Sequence, residues 1–165
     1  MVRLRDYQTA AVDSARREWD RVDSTMIVLP PGCGKPEVFV PLAKEWQHGR
    51  ALVVAPTIEL VDQAAAKLSA RTGRTVGIEQ GSRRSCEHDF IRDDFVCASK
   101  QTLCSKSKRY RRHEDIGLVI VDECHLAATK SYQELLGYYL EHGAKVLGVT
   151  ATPKRSDDVG MGNLF

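Results

Sequence analysis

Residues 26–40 read Met26-Ile-Val-Leu-Pro-Pro-Gly-Cys-Gly-Lys-Pro-Glu-Val-Phe-Val40. An apolar run enters a turn of prolines and glycines, meets a lysine, and continues with helical spacing from Glu37 to Trp46. Strand, tight turn and helix in that order make a phosphate cradle. Glycines let backbone N–H groups converge on an anion, the helix N-terminus adds the positive end of its dipole, and the lysine reaches the outer phosphates. By spacing alone an ordinary strand-turn-helix connection stays open, because the pattern GxxxxGK[ST] fails twice. Leu29 stands at its first glycine and Pro36 at its hydroxyl position.

Working outward, aliphatic runs of the same kind recur at 51–55, 75–78, 95–98, 118–121 and 146–149, each followed by a polar or helical segment. LVVA and LVIV are apolar without alternating, as central strands of a parallel sheet are when helices cover both faces. The class is therefore α/β, three-layered, with a mainly parallel central sheet. Helices are expected over 6–21, with Ala11, Ala15, Trp19 and Val22 at helical spacing, and over 58–71, with Leu60, Val61, Ala64 and Leu68. Trp19 and Trp46 fit packing positions. The polar stretches GSRRSCEHD (81–89) and SKSKRYRRHED (105–115) read as loops. Periodicity is lost after Pro153, so the chain is expected to stop where a further segment begins.

A second stretch, Leu118-Val-Ile-Val-Asp-Glu-Cys-His125, is an apolar strand whose carboxyl end presents two adjacent acids. Ligands of open α/β sheets bind at such ends. An aspartate there can hold Mg²⁺, and a neighbouring glutamate can orient or deprotonate a water. Alone, the pair reads equally as a solvated acidic turn. Together with the lysine turn it forms the second half of a nucleotide hydrolase site.

Composition excludes several other classes. At 165 residues, 42% hydrophobic and 28% charged, the chain has material for one ordinary core. Its 24 basic and 22 acidic residues leave a net charge of +2, so any nucleic-acid contact must come from local charge. No run approaches the roughly 18 apolar residues of a membrane span, and the start carries no signal-peptide core. An intracellular protein without a membrane partner is expected. The five cysteines, Cys33, Cys86, Cys97, Cys104 and Cys124, form no CxxC pair and read as reduced thiols. With His88, their spacing matches no compact zinc module.

The ordered motifs resemble the first RecA-like domain of superfamily 2 helicases and translocases. Leu4-Arg-Asp-Tyr-Gln8 looks like the adenine-reading motif, and 29–35 like motif I. Residues 55–63 (APTIELVDQ) are similar to motif Ia, 98–103 (ASKQTL) to Ib, Asp122-Glu-Cys-His125 to a DExH box, and 150–155 (TATPKR) to motif III. The resemblance implies an ATP-binding, Mg²⁺-dependent, RecA-like P-loop domain over 1–155, with 156–165 starting a linker toward a second such domain beyond this chain. It assigns nucleotide binding to Gln8, Pro31, Gly32, Cys33, Gly34, Lys35 and Pro36. Lys35, Asp122, Glu123 and His125 become catalytic, and Asp122 holds the metal. Pro56, Thr57, Gln63, Ser99, Gln101 and Thr102 contact nucleic acid, while Thr150, Thr152 and Arg155 couple the two sites. An amide at position 8 can meet an adenine edge with both a donor and an acceptor. His125 could link the acids to Thr150 or Thr152. For Thr57, Ser99 and Thr102, helix capping is the competing reading. TATP followed by Arg155, with APTxELxxQ, is closest to restriction-enzyme motor subunits, phage DNA helicases and excision-repair helicases. DNA is therefore favoured over RNA.

Pro36 departs from the family, whose hydroxyl there binds Mg²⁺ while its N–H helps hold phosphate. Proline has neither group, yet the first turn of a helix tolerates it. Weak Mg-ATP binding and poor hydrolysis are expected. The resemblance also places an arginine finger in the second domain. Lys106 to His113 packs five basic residues around Tyr110. Lys108, Arg109, Arg111 and Arg112 could follow a phosphate backbone with Tyr110 stacking on a base, or the segment could be a solvated loop. The competing functional class is a non-catalytic pseudo-ATPase lobe that binds nucleic acid or a partner protein.

Overall fold

The computed structural model describes residues 3–85, 87–88 and 91–152. Arg155, the expected linker at 156–165 and Cys86 lie outside them, as do the side chains at 87, 88 and 91. In chain order the elements are α1 (Asp6–Glu18), β1 (Ser24–Val28), α2 (Lys35–Glu45), β2 (Arg50–Ala55), α3 (Ile58–Thr72), β3 (Val76–Glu79), β4 (Glu87–His88), β5 (Ile91–Arg92), β6 (Phe95–Ser99), α4 (Lys100–Leu103), β7 (Ile116–Asp122), α5 (Lys130–Glu141) and β8 (Lys145–Thr150). Two 3-10 turns cover Arg109–Arg112 and Cys124–Leu126.

Six strands form one all-parallel sheet in the order β1-β8-β7-β2-β6-β3, and β4 and β5 make a separate two-residue antiparallel pair. Strand β2 explains the unbroken apolar runs. Its Ala51, Val53 and Ala55 join the core packed by α1, α2 and α3, while Leu52 and Val54 join the core packed by α5. Both faces are covered, so neither set of alternating side chains needs to be polar. The chain crosses the sheet from β1 through β2 to β3 with α2 and α3 on one face. It returns from β6 through β7 to β8 with α5 on the other, as right-handed crossovers require when direction reverses.

The expected α/β three-layer, RecA-like class is the observed one. Strand β3 lies one residue later than expected, and α1 ends at Glu18 rather than Arg21. There Trp19 packs edge-on against Trp46, with ring centroids 5.5 Å apart. Helix α5 goes beyond the expected elements. Its buried face, Tyr132, Leu135, Leu136 and Tyr139, keeps helical spacing, but Gly137 and a polar first turn interrupt the apolar signal. Among the described residues no helix is long and apolar enough to cross a membrane.

Parallel pairing sends the carboxyl ends of β1, β8 and β7 to one edge, side by side. The ends of β2, β6 and β3 continue that edge. Every motif quoted above that follows a strand is thereby delivered to the same rim of the sheet.

Candidate functional site

Leaving β1, Leu29 still donates its N–H to the Thr150 carbonyl at 2.9 Å, and then the chain turns away from the sheet. Gly32 (φ 77°) and Gly34 (φ 75°) adopt left-handed conformations that a side chain would strain. At Gly34 a Cβ would also come within 2.9 Å of Gln8 Nε2. Gly34 caps α2, Lys35 is its first residue, and Pro36 sits in the first turn without breaking the helix, as expected of proline there. Gln8 is only 5% exposed and is a fastening. Its Oε1 accepts from Arg5 N at 2.9 Å, and its Nε2 donates to Cys33 O at 3.0 Å. Tyr7 Oη donates to the same carbonyl at 3.0 Å, a contact not expected from the sequence although Tyr7 adjoins Gln8. Each end of the Gln8 amide retains one further hydrogen-bonding position.

From the end of β7, Asp122 and Glu123 face this turn. Lys35 Nζ is ion-paired with Glu123 Oε1 and lies 3.7 Å from Asp122 Oδ1. The lysine turn and the acids therefore meet at one rim, as the sequence argument required. Burial pushes the Asp122 carboxyl above its ordinary pKa; Lys35 opposes that shift and Glu123 adds to it. Asp122 Oδ1 accepts the Glu123 N–H at 3.0 Å. Glu123 itself has φ 53°, a left-handed conformation rare outside glycine, which aims its carboxylate back over the lysine.

His125 completes the arrangement. Its Nδ1 is 3.0 Å from Thr150 Oγ1 and 3.3 Å from Glu123 Oε2. Thr150 Oγ1 donates to the Thr152 carbonyl at 3.1 Å and accepts the Thr152 N–H at 3.2 Å. His125 Nδ1 thus stands within reach of both the Thr150 hydroxyl and the Glu123 carboxylate. The lysine, the acids, the histidine and the end of β8 form one connected chain of contacts. For Mg²⁺ the oxygen donors offered are the two carboxylates. Position 36 presents only ring carbons, so the donor set expected of a phosphate-turn magnesium is one ligand short.

The ends of β2 and β6 differ. Thr57 Oγ1 caps α3 by accepting Leu60 N at 3.3 Å, and Ser99 Oγ caps α4 by accepting Thr102 N at 3.3 Å. Ser99 Oγ also bonds Thr102 Oγ1 at 2.8 Å, and that hydroxyl accepts Gly81 N at 2.9 Å. Gln101 Nε2 donates to Pro56 O at 3.0 Å, tying the two strand ends together, whereas Gln63 is exposed on α3. The capping alternative is thus realised for Thr57 and Ser99, while the Thr102 hydroxyl, inside α4, is held by Gly81 N and Ser99 instead.

The basic segment 105–115 is not an open loop. Arg109, expected on a phosphate backbone, is 7% exposed. It pairs with the buried Glu79 and donates to the carbonyls of Gly81 at 2.7 Å and Arg83 at 2.9 Å. Tyr110, expected to stack on a base, is buried against Tyr138 and Tyr139 at centroid distances of 5.2 and 6.4 Å. An arginine with a buried carboxylate partner and a tyrosine over an apolar helix face are both held inside, which corrects those two assignments. Lys108, Arg111 and Arg112 remain exposed. Glu79, a single acid ending an apolar strand, carried no signal in the sequence. Of the cysteines, Cys33, Cys97, Cys104 and Cys124 are free thiols, and burial pushes the Cys124 thiol up to about 12.

The family model described as "Type III restriction enzyme, res subunit" matches residues 1–155. No curated protein matches the chain in sequence. Among solved structures, the UvsW helicase of bacteriophage T4 superposes with a TM-score of 0.74 at 20% identity, over 96% of this chain and 55% of that one. The helicase domain of Pyrococcus furiosus Hef gives 0.72 at 23%, over 93% and 33%. The type ISP restriction-modification enzyme LlaGI, solved with a DNA substrate mimic, gives 0.69 at 19%, over 96% and 18%. At these identities the likeness is one of fold, and the chain spans about half of UvsW and smaller shares of the other two.

Proposed function

The chain belongs to the family of type III restriction enzyme res subunits, and from that premise we propose that it is the ATP-binding motor lobe of a DNA helicase or translocase. The observation that carries this reading is the contact chain from Lys35 through Glu123 and His125 to Thr150. It joins a phosphate-type turn to the end of β8, on the same sheet edge as the proposed nucleic-acid face. The triphosphate sits over the 30–35 turn, with Lys35 on its outer oxygens and Gln8 beside the base. Glu123 orients the attacking water. Mg²⁺, when bound, neutralises charge on the phosphates, and Asp122 is the residue that would hold it.

Glu123 has two cationic or proton-bearing neighbours, Lys35 and His125. A phosphate that draws the Lys35 ammonium toward itself leaves the carboxylate more fully to the His125 ring. That shift is felt at Thr150 and Thr152, and so at the end of β8. Exposed Lys108, Arg111, Arg112 and Gln63, with the N-terminus of α3 near Pro56 and Thr57, supply the DNA-facing groups. Ser99, Gln101 and Thr102 shape that face from within. The working protein is intracellular and pairs this lobe with a second RecA-like domain. An arginine finger from such a domain is worth on the order of 10³ to 10⁵ in rate. Assayed as these 165 residues, turnover should therefore sit near background.

Pro36 lowers affinity as well. Losing one charge-assisted hydrogen bond costs about 1.5–3 kcal/mol, or roughly 10- to 150-fold. The deciding experiment measures equilibrium binding of a fluorescent ATP analogue to the wild-type chain and to Lys35→Ala. Turnover is then measured with DNA and a separately supplied second lobe of a relative. Binding that weakens at least tenfold in Lys35→Ala, with DNA-stimulated turnover abolished by Glu123→Gln, is expected. Equal binding by wild type and Lys35→Ala would remove the phosphate site and the motor reading with it.

A further inference from the structure

A magnesium ion in a phosphate turn needs near-octahedral oxygen ligands at roughly 2.0–2.1 Å, and gives up its waters reluctantly. This chain has a hydrocarbon ring at the hydroxyl position, Pro36. It also has a cation already between its acids. Lys35 Nζ is ion-paired with Glu123 and lies 3.7 Å from Asp122 Oδ1, inside the reach of both carboxylates. A divalent ion entering there must displace that ammonium, and it gains no hydroxyl in return.

The ammonium has three donors and no acceptor. One donor meets Glu123 while Asp122 is held by charge at 3.7 Å, which leaves donors for a phosphate oxygen. The Lys35 side chain keeps 16% of its surface exposed, so the head group is not sealed from the turn. Gly32, left-handed and with open space where a Cβ would stand, keeps the backbone of the turn free of a side chain there. Pro36 withholds one backbone N–H from the same anion, which lowers affinity whether or not a metal is present.

Resting on the reading of residues 30–35 as a phosphate site, we propose that this chain binds nucleotide phosphates independently of Mg²⁺. The Lys35 ammonium bridges the acid pair and a phosphate oxygen in the place a divalent ion takes in related turns. The ligand class is a metal-free nucleoside di- or triphosphate, held with modest affinity.

Titrating a fluorescent ATP analogue into the wild-type chain in excess MgCl₂ and in excess EDTA tests this directly. The two dissociation constants should agree within about threefold, against the order of tenfold or more that one charge-assisted ligand contributes. Pro36→Thr restores the hydroxyl and the N–H, and should acquire a Mg²⁺ dependence of at least tenfold. A wild-type affinity that rises threefold or more on adding Mg²⁺ overturns the proposal while leaving the phosphate site in place. No binding in either solution overturns both. The wild-type ratio decides the matter even if Pro36→Thr does not fold.

Discussion

Two corners of the same sheet edge use polar residues in opposite ways. At the ends of β1, β7 and β8, Lys35, Glu123 and His125 are partly accessible, Asp122 is buried beside them, and the four contact one another. At the ends of β2, β6 and β3, Thr57, Ser99, Thr102, Gln101 and Arg109 are held by caps and carbonyls within the fold. The first corner is the one proposed to respond to a ligand. The second is a scaffold that presents backbone N–H groups and exposed cations without spending its own side chains on contact. Motif residues of similar polarity thus divide by partner rather than by exposure: the first set contacts one another through charged groups, the second is bonded to caps and carbonyls, although Asp122 is buried and Thr57 and Gln101 are exposed.

The largest effect expected from this contrast is at Glu79. It is 1% exposed and is the carboxylate partner of Arg109, so Glu79→Ala leaves a guanidinium buried without its charge partner and should cost about 3–5 kcal/mol. Denaturant unfolding reads this as a lowered midpoint at constant slope. Lys35→Ala, at the responsive corner, should change stability far less while removing nucleotide binding. If Glu79→Ala unfolds no more readily than Lys35→Ala, the scaffold description of the second corner fails.

A smaller effect has its sign as content. Asp122 has its pKa raised by burial, so its folded form holds the proton more tightly than the unfolded chain. Its contribution is fully present below the ordinary carboxylate pKa and is lost as pH rises through the raised value. Asp122→Asn should therefore stabilise the protein at neutral pH and lose that advantage in acid. Asp115 is the opposite case. Burial raises its pKa, but the hydrogen bonds and charge of Arg50, with Arg92, outweigh burial and hold it low. Its contribution is present above the ordinary carboxylate range and lost as pH falls through the lowered value. Asp115→Asn should destabilise at neutral pH, with the difference shrinking in acid. Thermal unfolding of both variants across that range measures the two slopes, and slopes of the same sign would contradict the division between site acid and structural acid.

The smallest expected change in stability belongs to the exposed cations. Arg111→Ala and Arg112→Ala should shift unfolding by less than about 0.5 kcal/mol. Each should reduce the salt dependence of DNA binding by a slope of roughly 0.9 if it neutralises a phosphate. Arg109→Met should weaken binding without lowering that slope, because its guanidinium is occupied by Glu79 and two carbonyls. A lowered slope for Arg109→Met would return it to the DNA surface.

Much of this molecule was legible before folding was considered. Runs such as LVVA and LVIV are unbroken because both of their faces are buried, so class and layer number followed from residue type alone. The turn carrying Lys35 and the strand end carrying the acids were legible because glycines and adjacent carboxylates are uncommon directly after such runs. Helix α5 was harder to see, since its apolar face is spread across tyrosines and interrupted by Gly137. Arg109 and Tyr110 were misplaced for a different reason. A run of basic residues looks the same whether its members face water or a buried acid 30 positions earlier, as Glu79 stands before Arg109.

By itself the order of residues determined the layered α/β architecture, the turn able to cradle phosphate, and the proline that removes a hydroxyl from it. These depend on local properties: hydrophobic run length, permitted backbone angles, and the presence or absence of a donor. Only the tertiary structure decided which polar groups are free to act. Pairing Lys35 with Glu123, His125 with Thr150 and Glu79 with Arg109 requires strands distant in sequence to lie side by side, and the cost of burying a charge depends on who its neighbours turn out to be.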